Sequence, residues 1–326
     1  MQISSNINNY NNINFQGKKK KENDPNKVDA KTMALAYLGG SIANFMATAA
    51  YNTTVGDFFG RGVCTAKPEA SANLGEVIND AVKYTHLDKK GFEFIDLAKY
   101  ATPEEATKAA ESLIRNEYNA DKFTRSLLKN PFTRAEHEKA ILQGAKAFGE
   151  GKNAAVLLET NKMVLNSEKI GYAGFHEIGH ALNKNFSKVG KALQKMRVPM
   201  QFVPGVLLMT ALLTNKRTDE NKPQTFWQKT TQFIKNNVGK LTALTCVPTI
   251  IEELMASHKG MKLAKGMLDK NQLKQVAKTN AFGAMSYIGA AVAIGITANI
   301  ANKVRDGIVE KRQALKAAEA AKAQQA

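Results

Sequence analysis

The stretch IGYAGFHEIGHAL, residues Ile170 to Leu182, contains no proline and places apolar residues at helical spacing. It predicts a helix, which we expect to run over about 167–185. Residues four apart on a helix project from the same face, so the imidazoles of His176 and His180 can reach one cation. Zn²⁺ is the cofactor that this spacing predicts, because an H-E-x-x-H sequence on a helix supplies two ligands of a zinc site.

Glu177 lies about a quarter turn round the helix from the two histidines. It is too far round to bind the same ion but close enough to reach a water bound to it. Zinc lowers the pKa of such a water to about 7, and a neighbouring carboxylate can take its proton. Glu177 is therefore the expected general base for hydrolysis of a peptide bond. The alternative, two surface histidines on an amphipathic helix, is disfavoured by the apolar neighbours Phe175 and Ile178.

The third metal ligand must be a histidine or a carboxylate, because Cys64 and Cys246 are the only cysteines and can form no cysteine cluster. A catalytic zinc site has three protein ligands and one open position. Glu252 and Glu253 interrupt an otherwise apolar run at 241–256. Carboxylates buried in such a run are costly unless they are paired or bind a metal, so this pair is expected to supply the ligand.

Glu253 is the expected third ligand, because Ala256 and Ser257 follow it on the same helical face and are small enough to let the histidine helix pack closely. Ser257 is expected to hydrogen-bond a ligand histidine. Glu252 lies about 100° round the helix from Glu253 and is expected to point elsewhere. The alternative for both glutamates is an ordinary position on a helix surface.

Two further residues are weaker candidates for a place in the site. His258 has the chemistry to stabilise a tetrahedral oxyanion. It lies five residues after Glu253, however, so a surface position is favoured. Tyr172 lies one turn before His176 and is a candidate for contacting the substrate.

Two short apolar runs, at 153–158 and 162–165, precede the histidine helix and are separated by three residues, a pattern typical of two strands joined by a turn. The first run is a candidate edge strand for substrate, because an exposed edge can pair with an extended peptide through main-chain hydrogen bonds. The residues proposed for this edge are Asn153, Ala154, Ala155 and Val156. A strand pair that only supports the helix is the alternative.

Composition divides the chain into five parts. These are a disordered Asn- and Lys-rich tail at 1–30, an apolar helix at 31–56 that spans a membrane or is buried, a helical region of unknown role at 57–150, the catalytic core at 151–305, and a charged tail at 306–326. The helical region contains helix-start signals such as Thr102-Pro103-Glu104-Glu105, a capping box.

The second half of the chain favours a membrane. It contains apolar segments at 198–215, 238–256 and 279–302, and the last is uncharged over 24 residues, long enough to span hydrocarbon. The net charge of +17 favours contact with anionic membrane lipid. Nucleic-acid binding is disfavoured, because the lysines are spread along the chain and aromatic residues make up only 7% of it.

Several of these motifs together resemble a known family. Asn153-Ala-Ala-Val156, Val164-Leu-Asn166, His176-Glu-Ile-Gly-His-Ala181 and Glu253-Leu-Met-Ala-Ser257, with Pro248 and Ser286-Tyr287, are similar to the bacterial membrane-bound neutral zinc metallopeptidases. These are gluzincin-type enzymes related to the heat-shock and CAAX-prenyl-protease group. The resemblance covers about 153–302, nearly half of the chain. Family members usually carry arginine after Ala-Ser, where this chain has His258, and residues 1–150 show no likeness.

The resemblance implies an α+β, mostly helical fold with a zincin-like catalytic core and membrane-embedded helices. It implies zinc bound by His176, His180 and Glu253, with Glu177 as the base, in a multi-pass protein of the bacterial inner membrane. The expected function is zinc-dependent endopeptidase activity on a peptide or protein substrate. The alternatives are a non-catalytic membrane scaffold with a structural zinc site, and a soluble metallopeptidase.

Overall fold

A computed structural model describes residues 28–51, 58, 62, 68, 73–215 and 223–325, and the protein is mostly helical over these ranges, as expected. Nearly all of the predicted disordered tail at 1–30 lies outside the described residues. Helix α1 (Ala30–Tyr51) falls within the predicted apolar helix at 31–56 except for its first residue.

The predicted helical region at 57–150 is helical in its described part but also contains one strand. Its elements are α2 (Leu74–Tyr84), β1 (Glu93–Asp96), α3 (Pro103–Ala120), α4 (Lys122–Lys129) and α5 (Pro131–Gly149). Helix α3 begins as the sequence predicts, because the hydroxyl oxygen of Thr102 accepts a hydrogen bond from the backbone N–H of Glu105 at 3.2 Å.

The two predicted strands are present and form a sheet with β1. Strand β2 (Ala155–Leu157) pairs antiparallel with β3 (Lys162–Leu165), and β1 pairs parallel with the other side of β3. The order β1-β3-β2 leaves β2 at an edge of the sheet. Successive residues of β3 face opposite sides, so Met163 and Leu165 enter one apolar core while Val164 enters the other.

The helix predicted over 167–185 is broken into α6 (Ser167–Ile170) and α7 (Ala173–Phe186), so the prediction of one continuous helix is wrong. The break lies at Gly171, where a Cβ would clash with the side chain of Leu74 on α2. The backbone dihedral angles of Gly171 and Tyr172 stay in the helical region, so the break is a short turn between the two helices.

Four longer helices complete the described chain: α8 (Lys188–Leu213), α9 (Phe226–Leu244), α10 (Val247–Ala264) and α11 (Lys270–Gln325). The predicted apolar segment at 238–256 is divided between α9 and α10, which are separated just before Pro248, a residue suited to the first turn of a helix. The residues predicted as a charged tail, 306–326, extend α11 as far as Gln325.

Two described helices, α1 and α11, are long and apolar enough to cross a membrane. A third candidate span is added if the two parts of α8, 188–197 and 202–213, which are bent by 46°, count as one. Pro199 and Pro204 lie inside α8 and account for the bend, because proline removes a helical hydrogen bond. The predicted segment at 279–302 lies in α11, whereas the segment at 238–256 is not among the candidate spans.

Helix α7 lies between the sheet and α10. Its residues Phe175, Ile178 and Ala181 are fully buried in an apolar core that also contains residues of α2, β3, α10 and the start of α11. The histidine helix is therefore held on several sides by apolar packing, which fixes the position of its side chains.

Candidate metal centre

Helices α7 and α10 approach so closely that their backbones are in contact. A Cβ on Gly179 would overlap the carbonyl oxygen of Ala256, and one on Gly260 would overlap the carbonyl oxygen of Phe175. Only glycine permits this approach at both points. It brings the histidine face of α7 directly against the face of α10 that carries Glu253.

His176, His180 and Glu253 form a cluster that could hold a metal ion. Nε2 of His176 lies 3.0 Å from Oε2 of Glu253 and 3.0 Å from Nε2 of His180, and the third side of the triangle is 3.3 Å. Zinc bonds of about 2.0–2.2 Å in tetrahedral directions separate neighbouring ligand atoms by about 3.3 Å. The triangle thus has the size that three ligands of one such ion require.

Both imidazoles turn their other nitrogen, Nδ1, towards an oxygen of α10. Nδ1 of His176 lies 3.0 Å from Oγ of Ser257, and Nδ1 of His180 lies 2.9 Å from Oε1 of Glu252. With a proton on Nδ1, each histidine presents the lone pair of Nε2 to the centre of the cluster. The structure therefore places Ser257 beside His176, one of the two histidines that it was expected from the sequence to contact.

The expectation that Glu252 points elsewhere is wrong. Its side chain is fully buried, and Oε1 also accepts hydrogen bonds from Asn183 and Gln194 at 2.9 Å each. Although Glu252 and Glu253 diverge round α10, the ring of His180 lies between them and meets one glutamate with each nitrogen. The helical wheel of α10 alone could not reveal this bridging ring.

Arg197 of α8 is a further residue of the site that sequence reasoning missed. Its guanidinium pairs with Oε2 of Glu252 at 3.3 Å and with Oε1 of Glu253. Glu177 is the third buried carboxylate in this region, being 8% exposed. Three carboxylates and one guanidinium leave two negative charges in excess, the charge that a divalent cation would balance.

The pKa values of His180 and Glu253 reflect this excess of negative charge. Burial disfavours the charged form of His180, but hydrogen bonds with Glu252 and Glu253 outweigh burial and raise its pKa to about 10. Burial likewise opposes ionisation of Glu253, yet hydrogen bonds with His176 and His180 hold its pKa well below the usual range. In the metal-free protein a proton on His180 therefore supplies part of the missing positive charge.

A cavity of about 160 Å³ opens beside the cluster. His176 and Glu177 line it from α7, and Asn153 and Ala154 line it from the segment leading into β2. The opposite wall belongs to α11 and includes Thr279, Asn280, Ser286 and Tyr287. Glu177 thus faces a space that adjoins both the cluster and the start of the edge strand.

A larger cavity of about 670 Å³, lined by Asp96 and Ser167 among others, contains none of the cluster residues.

The remaining candidates lie in different environments. Ala155 and Val156 belong to the edge strand β2 and are partly buried. His258 is exposed on α10 and does not line the cavity. Tyr172 is 3% exposed and packs in the apolar core, so the structure does not place it at the cavity wall either.

Comparison of the chain with protein-family models, curated proteins and solved structures found no match.

Proposed function

We propose that this protein is a zinc-dependent endopeptidase with a zincin-like core, embedded in a membrane. The observation that carries the proposal is the triangle of His176, His180 and Glu253, with sides of 3.0–3.3 Å, next to a cavity lined by Glu177. The resemblance of its motifs to the membrane-bound neutral zinc metallopeptidases supports the same function.

Each residue has a role in the proposed reaction. Zinc held by these residues would supply a bound water of pKa about 7 and would polarise the substrate carbonyl. Glu177 takes a proton from the attacking water and later donates it to the leaving amine. Glu253 and the two histidines hold the ion, while Ser257 and Glu252 orient the imidazoles. The edge strand β2 offers main-chain hydrogen bonds to an extended peptide.

Three protein ligands are more consistent with a catalytic ion than with a structural one. Structural zinc sites are closed by four protein ligands, whereas catalytic sites keep one position open. Within the described residues, the cluster comprises three possible ligands and adjoins a cavity. A scaffold protein in which zinc only fixes the fold would need neither that cavity nor a carboxylate such as Glu177 lining it.

Membrane embedding is supported by the surface of α11 as well as by its length. Met285, Ile288, Val292 and Ile296 recur at helical spacing along its candidate span and are each 46–54% exposed. Such a stripe is suited to contact with lipid. Together with α1 and the bent α8 it supports a multi-pass protein, which we propose for the bacterial inner membrane. The charge of +17 is suited to anionic lipid headgroups.

The test compares the wild-type protein, purified in detergent, with Glu177→Gln and His180→Ala. We expect the wild type and Glu177→Gln to bind one zinc ion, measured by elemental analysis, and His180→Ala to bind none. Only the wild type should cleave peptides of a tryptic digest of casein, followed by mass spectrometry. Cleavage by Glu177→Gln at the wild-type rate would refute the proposed mechanism, and zinc binding without cleavage by the wild type would favour the scaffold.

A further inference from the structure

Tyr287 of α11 lines two cavities. It lines the cavity that contains His176 and Glu177, and it also lines an apolar cavity of about 240 Å³ bounded by Ile250 and Ile294. Its hydroxyl lies close enough to the carboxylates of Glu253 and Glu177 to interact electrostatically with both. A phenolic O–H is thus present beside both the proposed base and a proposed metal ligand.

Two neighbouring polar groups of the same wall donate hydrogen bonds to other groups, whereas the buried hydroxyl of Thr279 has no hydrogen-bond partner among the described residues. The hydroxyl of Ser286 donates to the carbonyl oxygen of Gly283 at 2.6 Å, and the amide nitrogen of Asn280 donates to the carbonyl oxygen of Ser257 at 3.4 Å. His258, which has the chemistry to stabilise an oxyanion, is exposed elsewhere on α10. Tyr287 is the donor of this wall whose hydroxyl interacts with both Glu253 and Glu177, which places it near a substrate oxygen bound there.

We infer that Tyr287 donates a hydrogen bond to the oxyanion that develops on the substrate carbonyl, an inference that rests on the proposed function. As the water oxygen bonds to the carbonyl carbon, the π electron pair moves onto the carbonyl oxygen and a proton passes from the water to Glu177. Tyr287 keeps its proton throughout. The C=O bond then re-forms, the C–N bond breaks, and Glu177 gives its proton to the amine. A donor that engages charge only in the transition state raises kcat.

The contact with Glu253 is compatible with this role. Oε2 of Glu253 faces the histidines and Oε1 pairs with Arg197, so both oxygens already have stronger partners than a phenol. The hydroxyl of Tyr287 can therefore exchange Glu253 for a substrate oxyanion at a small cost in free energy.

The test is Tyr287→Phe, which removes one hydroxyl and keeps the ring. Tyr118→Phe is the matched control, because Tyr118 lies on α3 against His137, away from the cavity. For the casein peptide that wild type cleaves fastest, we expect kcat to fall about 10²- to 10³-fold with little change in KM. Zinc affinity, measured with a competing chromophoric chelator, should remain at the wild-type value, and Tyr118→Phe should resemble wild type throughout.

A second readout does not depend on turnover. An N-phosphoryl dipeptide, whose tetrahedral anion resembles the transition state, should bind zinc-loaded Glu177→Gln more tightly than the Glu177→Gln/Tyr287→Phe double variant. Equal binding of the analogue by the two variants, or an unchanged kcat in Tyr287→Phe, would overturn the role of Tyr287. The proposed peptidase function would not be affected. A loss of zinc affinity in Tyr287→Phe would also overturn it, since Tyr287 would then only position Glu253. If the wild type cleaved no peptide, the proposed function would fail. Equal binding of the analogue by Glu177→Gln and by the double variant would then reject the role of Tyr287 as well.

Discussion

Nδ1 of His180 lies 2.9 Å from Oε1 of Glu252, while Nε2 of the same ring faces His176 and Glu253. Two adjacent glutamates of one helix therefore meet opposite edges of one imidazole. A carboxylate on the second nitrogen of a ligand histidine fixes its tautomer and increases its basicity. Glu253 is thus placed among the groups that could hold a metal ion, and Glu252 is placed to orient His180.

This division of roles predicts different effects for the two glutamates. We expect Glu253→Ala to abolish tight zinc binding, because it removes a ligand. Glu252→Gln should weaken binding about 10- to 100-fold, because it removes the charge that strengthens the bond to His180. Competition with a chromophoric chelator measures both. Glu104→Gln, an exposed carboxylate on α3, is the control. Wild-type affinity in Glu253→Ala would refute the assignment of the cluster.

Gly179 predicts a coupling between helix packing and metal binding. Gly179→Ala should push α7 away from Ala256, widen the triangle of ligand atoms and lower both the melting temperature and the zinc affinity. Gly307→Ala is the matched control, because Gly307 lies in α11 with open space around the position of a Cβ. There the change should be neutral or stabilise the protein by up to about 1 kcal/mol. Equal melting temperatures and affinities for the two variants would contradict the close packing.

The raised pKa of His180 predicts that zinc uptake releases a proton. With a pKa of about 10, His180 is protonated in the metal-free protein at pH 7, whereas a metal ligand must be neutral. We expect about one proton to be released at pH 7, and zinc affinity to rise with pH until it levels off near the pKa. Calorimetry in buffers of different ionisation enthalpy measures the proton count. A count near zero at pH 7 would show that the cluster is unprotonated before zinc binds.

Local sequence patterns could predict the strand pair and the helix of the two histidines. The small residue Ser257 and the acidic Glu253 could also be placed on one face of a helix, and the structure brings both within 3.0 Å of His176. Which residues share one face of a helix depends only on their spacing in the sequence, so the sequence was sufficient to predict these positions.

Relationships that depend on how distant helices cross could not be predicted. Arg197 and Gln194 reach the site from α8, and Tyr287 reaches it from α11, about a hundred residues after the histidines. The position of Glu252 required knowledge of where His180 lies relative to α10. Strand β1 was missed because Glu93 and Asp96 bound a run of only two apolar residues, which becomes a strand by pairing with β3.

The exposed stripe of α11 predicts how the protein behaves in a membrane. Wild-type protein expressed in bacteria should remain in the lipid pellet after extraction at pH 11, because its candidate spans would be held by hydrocarbon. Lysine at both Val292 and Ile296, which are 53% and 54% exposed, would place charges near the middle of the uncharged segment. Each costs about 2.5–3.5 kcal/mol in a bilayer, so the amount of membrane-inserted protein should fall.

Ala317→Lys is the control for the double variant Val292→Lys/Ile296→Lys. Residue 317 is exposed at the charged end of the same helix, so this substitution should not change the amount of membrane-inserted protein. If α11 faces water instead, the two lysines of the double variant would be solvated, and protein yield would be unchanged or improved. Recovery of the wild type in the alkaline supernatant, with undiminished yield of the double variant, would therefore favour a soluble metallopeptidase over the membrane-embedded one.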